Sequence, residues 1–252
     1  MQQFFDMAWD MDSFSYDNAN RSQAAWLASI FGKKYQKDFQ GMLDTYYRLA
    51  WERRPEFMGY EMEWDSDENN RLHDSHLSFA DGTAQVRLDD YKSISDKVDM
   101  VMNDLPSEYR AAFFEIVGYA VQSAYQMNRK FLMAQRNHET GNAEAAEESR
   151  AANDSLNALL VRYNTQLDGK WNHMMSCIPP GFCAKYQMMP ELVTEPTDAY
   201  VLPEAQRVVT LKHKINLSRV KTKRPFRLLD GIGLDWVGRA ASERTGCVEC
   251  FL

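Results

Sequence analysis

The stretch PSEYRAAFFEIVGYAVQSAYQMNRKFLMAQRN, residues 106–137, decides the fold. Its apolar side chains repeat every seven residues along two neighbouring lines, Phe113, Ala120, Met127 and Ala134 on the first and Val117, Ala124 and Phe131 on the second. Two such lines predict a bundle seam, and the alanines let a neighbouring helix approach closely. Pro106 suits the first turn of this helix, and Gly141 with Asn142 breaks the pattern. We therefore predict one long helix over residues 106–137 at the centre of a bundle.

Four other segments carry apolar residues at helical spacing, and they predict helices over about residues 19–31, 34–51, 84–104 and 143–167. Asp17 and Asn18 offer N-caps for the first of these, Gly32 offers its C-cap, Pro55 stops the second and Gly169 ends the last. Strand signals are nearly absent before residue 199. The predicted fold class is all-α, an antiparallel bundle of about five helices followed by a short irregular or β-like C-terminal tail.

The composition changes near residue 197. The segment 207–227 carries eight Lys and Arg residues and no acid, and two short strand-like runs lie at 200–202 and 207–211. We predict a helical bundle domain over 1–196 and a basic tail over 197–252 that is poorly ordered or begins a truncated β domain. Residues 55–82 have no clear period, which predicts a long polar loop inside the bundle domain.

Charge is distributed unevenly along the chain. The net charge is −7, but residues 197–252 hold 10 Lys and Arg against 6 Asp and Glu, which leaves −11 on residues 1–196. Because phosphate binding needs a basic face, an acidic main body argues against nucleic acid as its partner.

Several site classes are disfavoured by spacing. No apolar run of about 18 residues occurs, so we expect no membrane contact, and the first residues lack the pattern of a signal peptide. Cys247 and Cys250 have CxxC spacing, but Cys177 and Cys183 are too far apart to complete a zinc site. The pair His73 and His76 and the acids between residues 61 and 68 are interpreted as a solvated loop. We expect no metal and no cofactor.

Four blocks follow one another in the chain: FFDMAWD at residues 4–10, RRPEFMG at 53–59, LPSEYRAAF at 105–113 and GKWNHMM at 169–175. In this order they resemble the helical domain of the family-115 glycoside hydrolases, the xylan α-1,2-glucuronidases. The resemblance covers about residues 3–190 and fails beyond them. In that family the catalytic barrel precedes this domain, so no catalytic position maps onto this chain.

The resemblance implies an accessory helical domain of an α-glucuronidase-like hydrolase, a fragment truncated at both ends and inactive alone. Its partners would be the catalytic barrel of the parent enzyme and, in some members, a second copy. A glucuronosyl substrate derived from xylan would be met only through the parent, which would be secreted or periplasmic. The alternative is a free-standing helical scaffold or protein-interaction module. An independent small enzyme has the least support, since no catalytic set is visible.

Two groups of residues are candidates for substrate or interface contact. Arg53 and Arg54 could pair with an anionic sugar, because arginine forks bind carboxylates. Trp171, Asn172 and His173 could stack on a sugar and hydrogen-bond its hydroxyls. A structural interpretation is favoured for both: the arginines would be solvated at a helix C-terminus, and Trp171 would plug the end of the bundle while its neighbours satisfy buried backbone groups.

Overall fold

The computed structural model describes residues 2–10, 12, 15, 19–55, 58, 77–175 and 189–197. Seven α-helices occur in these ranges: α1 (Gln2–Trp9), α2 (Ala19–Phe31), α3 (Gln36–Glu52), α4 (Thr83–Asp104), α5 (Ser107–Phe113), α6 (Tyr119–Thr140) and α7 (Ala143–Gly169). A 3-10 turn, Lys33–Tyr35, precedes α3, and a π-helical segment, Phe114–Gly118, joins α5 to α6. The ranges contain no β-strand, so the predicted all-α fold is confirmed.

Neighbouring helices run antiparallel, as the paired side chains show. At one end of α3 and α4, the Tyr35 hydroxyl donates to Asp104 at 2.6 Å. Thirteen residues further along α3, Arg48 pairs with Asp90, an earlier residue of α4, also at 2.6 Å. Helices α6 and α7 are also antiparallel, since the ring of Tyr119 at the start of α6 lies 4.9 Å from the ring of Tyr163 near the end of α7. The bundle topology predicted from short connections therefore holds for these pairs.

Aromatic rings fill the main core. Phe31, Phe39 and Phe113 come from α2, α3 and α5, and the centroid of the Phe113 ring lies 5.2 Å from that of Phe31 and 6.0 Å from that of Phe39. Phe113 and Phe39 have no exposed surface. A second cluster, around Phe131 and Leu132 of α6, includes Leu88 of α4 and Ala145 of α7. Long-range ring contacts of this kind tie the helices together beyond what helix propensity supplies.

The central helix runs without a break through α5, the π-helical segment Phe114–Gly118 and α6. The π-helical segment inserts an extra residue into the turn, which rotates everything that follows relative to what precedes it. The second line of the seam survives, since Val117, Ala124 and Phe131 are buried. On the first line Ala120 is exposed and Met127 only half-buried, so the single long helix was predicted correctly but the burial of its first line was not.

Several helices begin or end beside the Gly, Asn and Pro residues that were expected to bound them. Gly141 ends α6 with φ of 66°, and the side chain of Asn142 caps α7 by accepting from the amide of Glu144 at 2.8 Å. Helix α3 ends at Glu52, before Pro55. Toward the end of α7, Leu167 takes a left-handed φ of 52°, which a branched residue adopts only under constraint.

Helix α1 has no counterpart among the predicted helices. Most of the predicted polar loop and the whole tail from residue 198 lie outside the described residues. So do the cysteines, the histidine pair and the caps at Asp17 and Asn18. The described residues belong to one unit, Met1–Gln206, and the predicted domain boundary at 196/197 stays a prediction. In the described part of the chain, none of the helices has the length and apolarity needed to cross a membrane.

Candidate functional site

Arg87 of α4 is a buried arginine with 2% of its surface exposed. Its Nε donates to Oδ1 of Asn128 at 2.6 Å, and its two terminal nitrogens donate to the carbonyls of Leu49, at 3.0 Å, and of Arg53, at 2.6 Å. Burial lowers the pKa of the guanidinium. The arginine thus satisfies carbonyls at the C-terminal end of α3 and ties that end to α4 and α6, where a cation is favourable to the helix dipole.

A surface groove of about 470 Å³ lies between the end of α3 and the start of α4. It is lined by Arg48, Leu49, Glu52, Arg53, Leu77, Asp81, Gly82, Thr83, Val86, Arg87 and Asp90. Three arginines and three carboxylates therefore meet there. Arg48 pairs with Asp90 at 2.6 Å and with Glu52 at 3.1 Å, and Glu52 also lies 3.6 Å from Arg87. These ion pairs neutralise much of the charge of the groove lining.

The opposite wall of the groove is the start of α4. Asp81 accepts from the amide of Thr83 at 2.9 Å and from its hydroxyl at 2.7 Å. These hydrogen bonds lower the pKa of the Asp81 carboxyl. An ionised carboxylate at this position stabilises the helix N-terminus and repels a second anion. The groove is therefore not arranged to bind an anion at the α4 end.

The two predicted arginines lie directly after α3. Arg53 is half-buried, lines the groove and offers its carbonyl to Arg87, whereas Arg54 is exposed. Both therefore lie at a helix C-terminus, where the helix dipole favours a cation. Arg53 lines the groove between α3 and α4, so it is better placed than Arg54 for contact with a ligand.

The second candidate group lies beyond the end of α7. Trp171 is half-buried and packs against the main core, with Nζ of Lys170 5.0 Å from its ring. Asn172 is exposed and accepts the amide of His173 at 3.0 Å, and His173 is exposed with a left-handed φ of 70°. This placement suits Trp171 as a plug of the bundle end. Within the described part of the chain, the side chain of Asn172 accepts a hydrogen bond from the amide of its exposed neighbour His173.

Sequence reasoning missed Arg87 and Asn128. The signal was present for Arg87, because it lies at helical spacing with the buried Ala84, Leu88 and Tyr91 on α4. A cation on an apolar stripe is rarely buried without partners, so it points to a hydrogen-bonded site inside the fold. Among the described residues, no three or more His, Cys, Asp or Glu side chains cluster closely enough to hold a metal.

Comparisons with known proteins agree with this fold. Residues 1–57 match the model of glycosyl hydrolase family 115. A solved family GH115 4-O-methyl-α-glucuronidase with specificity for decorated arabinogalactans is 32% identical, with a TM-score of 0.66. The similarity covers 80% of this chain and 26% of that enzyme, so this chain spans about a quarter of its relative. No curated protein matches.

The family resemblance predicted from the four sequence blocks is confirmed by these two matches. The matched family model spans α1, α2 and α3, and the solved relative extends the similarity through most of the chain. By these two matches, this chain is similar to part of a family-115 glycoside hydrolase.

Proposed function

We propose that this chain is an accessory helical region of an α-glucuronidase-like glycoside hydrolase and is not catalytic alone. The observation that carries the proposal is the coverage: 80% of this chain corresponds to only 26% of a 4-O-methyl-α-glucuronidase. About three quarters of that relative lies outside the matched region, which leaves ample room for the active site elsewhere. The matched region would support the catalytic part by packing against it.

The described carboxylates support a structural role. Glycoside hydrolysis normally uses two carboxyl groups, and the one that protonates the leaving group needs a raised pKa. Asp81 and Asp104 instead have a lowered pKa, because Thr83 and Lys34 respectively hydrogen-bond their charged forms. Glu52 and Asp90 are engaged by Arg48. Carboxylates held in this way stabilise helices and are poorly suited to proton transfer.

The substrate of the parent would be a polysaccharide decorated with glucuronic acid. Xylan is the substrate that the sequence resemblance implies, and the solved relative has specificity for decorated arabinogalactans. We propose that this chain meets such a substrate only through its parent, with Arg53 as the contact candidate that lines a groove. The guanidinium would pair with the uronate carboxylate if the sugar reached this wall.

The test is a comparison of this chain with the solved relative on both polysaccharides. We expect release of 4-O-methylglucuronic acid at the background level from this chain with either glucuronoxylan or decorated arabinogalactan. Turnover that disappears in Glu52→Gln or Asp90→Asn would overturn the proposal, since it would show that the chain carries its own acid or base. Asp154→Asn, a change of an exposed carboxylate on α7 outside the groove lining, is the matched control.

The proposed partner is the catalytic part of the parent enzyme, and a second copy of the chain is the other candidate. The exposed aromatic residues of α1 support a role in protein contact: Phe4 is 67% exposed, Phe5 58% and Trp9 94%. Large apolar side chains grouped on one short helix usually mark an interaction site. A free-standing scaffold would use the same surface for a different protein, so binding to the catalytic part of a family-115 enzyme separates the two proposals.

A further inference from the structure

Two adjacent polar residues near the end of α6 are buried completely or nearly so. Asn137 has no exposed surface and His138 has 2%. Both carry several polar atoms, and buried polar atoms without partners are strongly destabilising. Much of what satisfies them comes from the segment 189–197, which is distant in sequence.

The Asn137 side chain binds the main chain of Val193 in both directions. Its Nδ2 donates to the Val193 carbonyl at 2.9 Å, and its Oδ1 accepts from the Val193 amide at 2.8 Å. The same Nδ2 also donates to the carbonyl of Asn142 at 2.9 Å. A carboxamide bonded to both polar groups of one residue imitates a strand pair, so it recognises extended backbone at a single defined register.

His138 fixes both ends of the segment. Its Nε2 lies 2.6 Å from the Glu191 carbonyl, and because a carbonyl only accepts, Nε2 carries the hydrogen. Its Nδ1 lies 2.9 Å from the Thr197 hydroxyl, and the Thr197 amide donates to the His138 carbonyl at 2.8 Å. One residue of α6 therefore holds two points that are six residues apart in the segment.

Gly141 makes room for the segment between these two points. A Cβ atom there would lie 3.0 Å from Cδ of Pro196 and 3.1 Å from the carbonyl oxygen of Thr194. The glycine also has φ of 66°, which disfavours any side chain. The end of α6 thus leaves space for Pro196, and it supplies the polar groups that bind Glu191, Val193 and Thr197.

We propose that this corner of α6, formed by Asn137, His138 and Gly141, is an intramolecular docking site for the segment Glu191–Thr197. The docked segment fixes Thr197, the last described residue, against the end of α6. The inference is independent of the proposed glycosidase role, because it depends only on contacts within the chain.

The test is amide hydrogen exchange of Thr197 in the full chain. In the wild-type protein we expect exchange slower by about tenfold or more than in a free peptide of the same sequence. Val193→Pro removes the hydrogen that Asn137 accepts and should lose that protection at Thr197, four residues away. Val193→Ala keeps the amide and is the matched control, so it should retain protection. Circular dichroism should show unchanged helix content in both variants.

Three results would overturn the proposal. Wild-type exchange at Thr197 as fast as in the free peptide would show that the segment is not docked. Undiminished protection in both Val193→Pro and Asn137→Ala would show that the two-way bond with Asn137 does not hold it. Protection that vanishes on dilution would show that the segment binds the corner of a second copy, so that the docking is between molecules.

Discussion

A terminal nitrogen of Arg87 meets the main-chain carbonyl of Arg53 at 2.6 Å, and this bond closes a buried network around one cation. The same guanidinium binds the Leu49 carbonyl and Asn128. Acceptors on α6 and at the end of α3 therefore share one donor side chain from α4. Removing it would leave Oδ1 of Asn128 and the carbonyl of Arg53 without this donor, whereas the Leu49 carbonyl would still accept the Arg53 amide at 3.0 Å. The loss of a buried hydrogen-bond partner is costly.

Arg87→Met should therefore destabilise the fold by about 3 kcal/mol or more, since methionine fills part of the volume but donates no hydrogen bond. Urea denaturation followed by circular dichroism measures the effect. Arg48→Met is the matched control: its side chain is 51% exposed and its two ion pairs lie at the surface. We expect a loss of about 1 kcal/mol or less there. Equal losses in the two variants would contradict a buried anchoring role for Arg87.

Phe113→Ala should destabilise the bundle by about 3–5 kcal/mol, because the ring is fully buried against Phe31 and Phe39. Ile116→Ala is the control, in the adjacent π-helical segment, where Ile116 is 46% exposed. Its loss should be about 1 kcal/mol or less. A thermal midpoint that Phe113→Ala leaves unchanged would show that the aromatic core is assigned wrongly.

Phe113 and Ile116 show how much of the fold can be predicted from the sequence. Spacing by three or four residues located α2, α3, α4 and α7, because a solvent-exposed helix must place its apolar residues on one stripe. It did not reveal the π-helical segment, since one extra residue in a turn changes phase without changing composition. For that reason Ala120 was expected to be buried and is exposed.

The site was harder to predict than the helices. Arg53 was recognised because guanidinium chemistry is visible in the residue type alone. Arg87 has the same chemistry and lies on the apolar stripe of α4, but the carbonyls that accept its hydrogen bonds come from another helix, and local spacing does not identify them. Asn137 and His138 were missed for a similar reason, because their partners lie more than fifty residues away in the chain.

The stability of the protein should rise between about pH 8 and pH 10.5 through Lys130. Burial lowers the pKa of this lysine from 10.5 to about 8. Between the two values the unfolded chain binds a proton that the folded chain has released, so raising the pH favours folding. Below about pH 8 the folded state bears the full cost of a buried charge.

Lys130→Met removes this titration, so its stability relative to the wild-type protein should be greatest near pH 7 and decline toward pH 10.5. Urea titrations at several pH values measure the difference. Lys92→Met is the control: Asp96 raises the pKa of the Lys92 ammonium, so its contribution is present through this range and lost only above it. A pH-independent difference between wild type and Lys130→Met would contradict the lowered pKa.

Self-association should depend on α1. Because Phe5 and Trp9 are exposed, we expect sedimentation velocity to show concentration-dependent association of the isolated chain. The double variant Phe5→Ser with Trp9→Ser should weaken it. Trp51→Ser removes an 85% exposed ring from the end of α3 and is the control for nonspecific hydrophobic association. A wild-type chain that stays monomeric at high concentration and binds no hydrophobic dye would contradict this expectation.

Limited proteolysis should release a stable helical fragment. The sequence predicts the first cuts between about residues 194 and 223, where the basic run begins. The docking site on α6 narrows this range, because the amides of Val193 and Thr197 are bonded to Asn137 and His138. Lys185 and Arg207 are the tryptic sites on either side of this segment, so trypsin should cut first after Lys or Arg from Arg207 onward, and mass spectrometry should find a fragment that ends beyond Thr197 and not at Lys185. Resistance of the basic region for as long as the bundle resists would show that it forms a second domain.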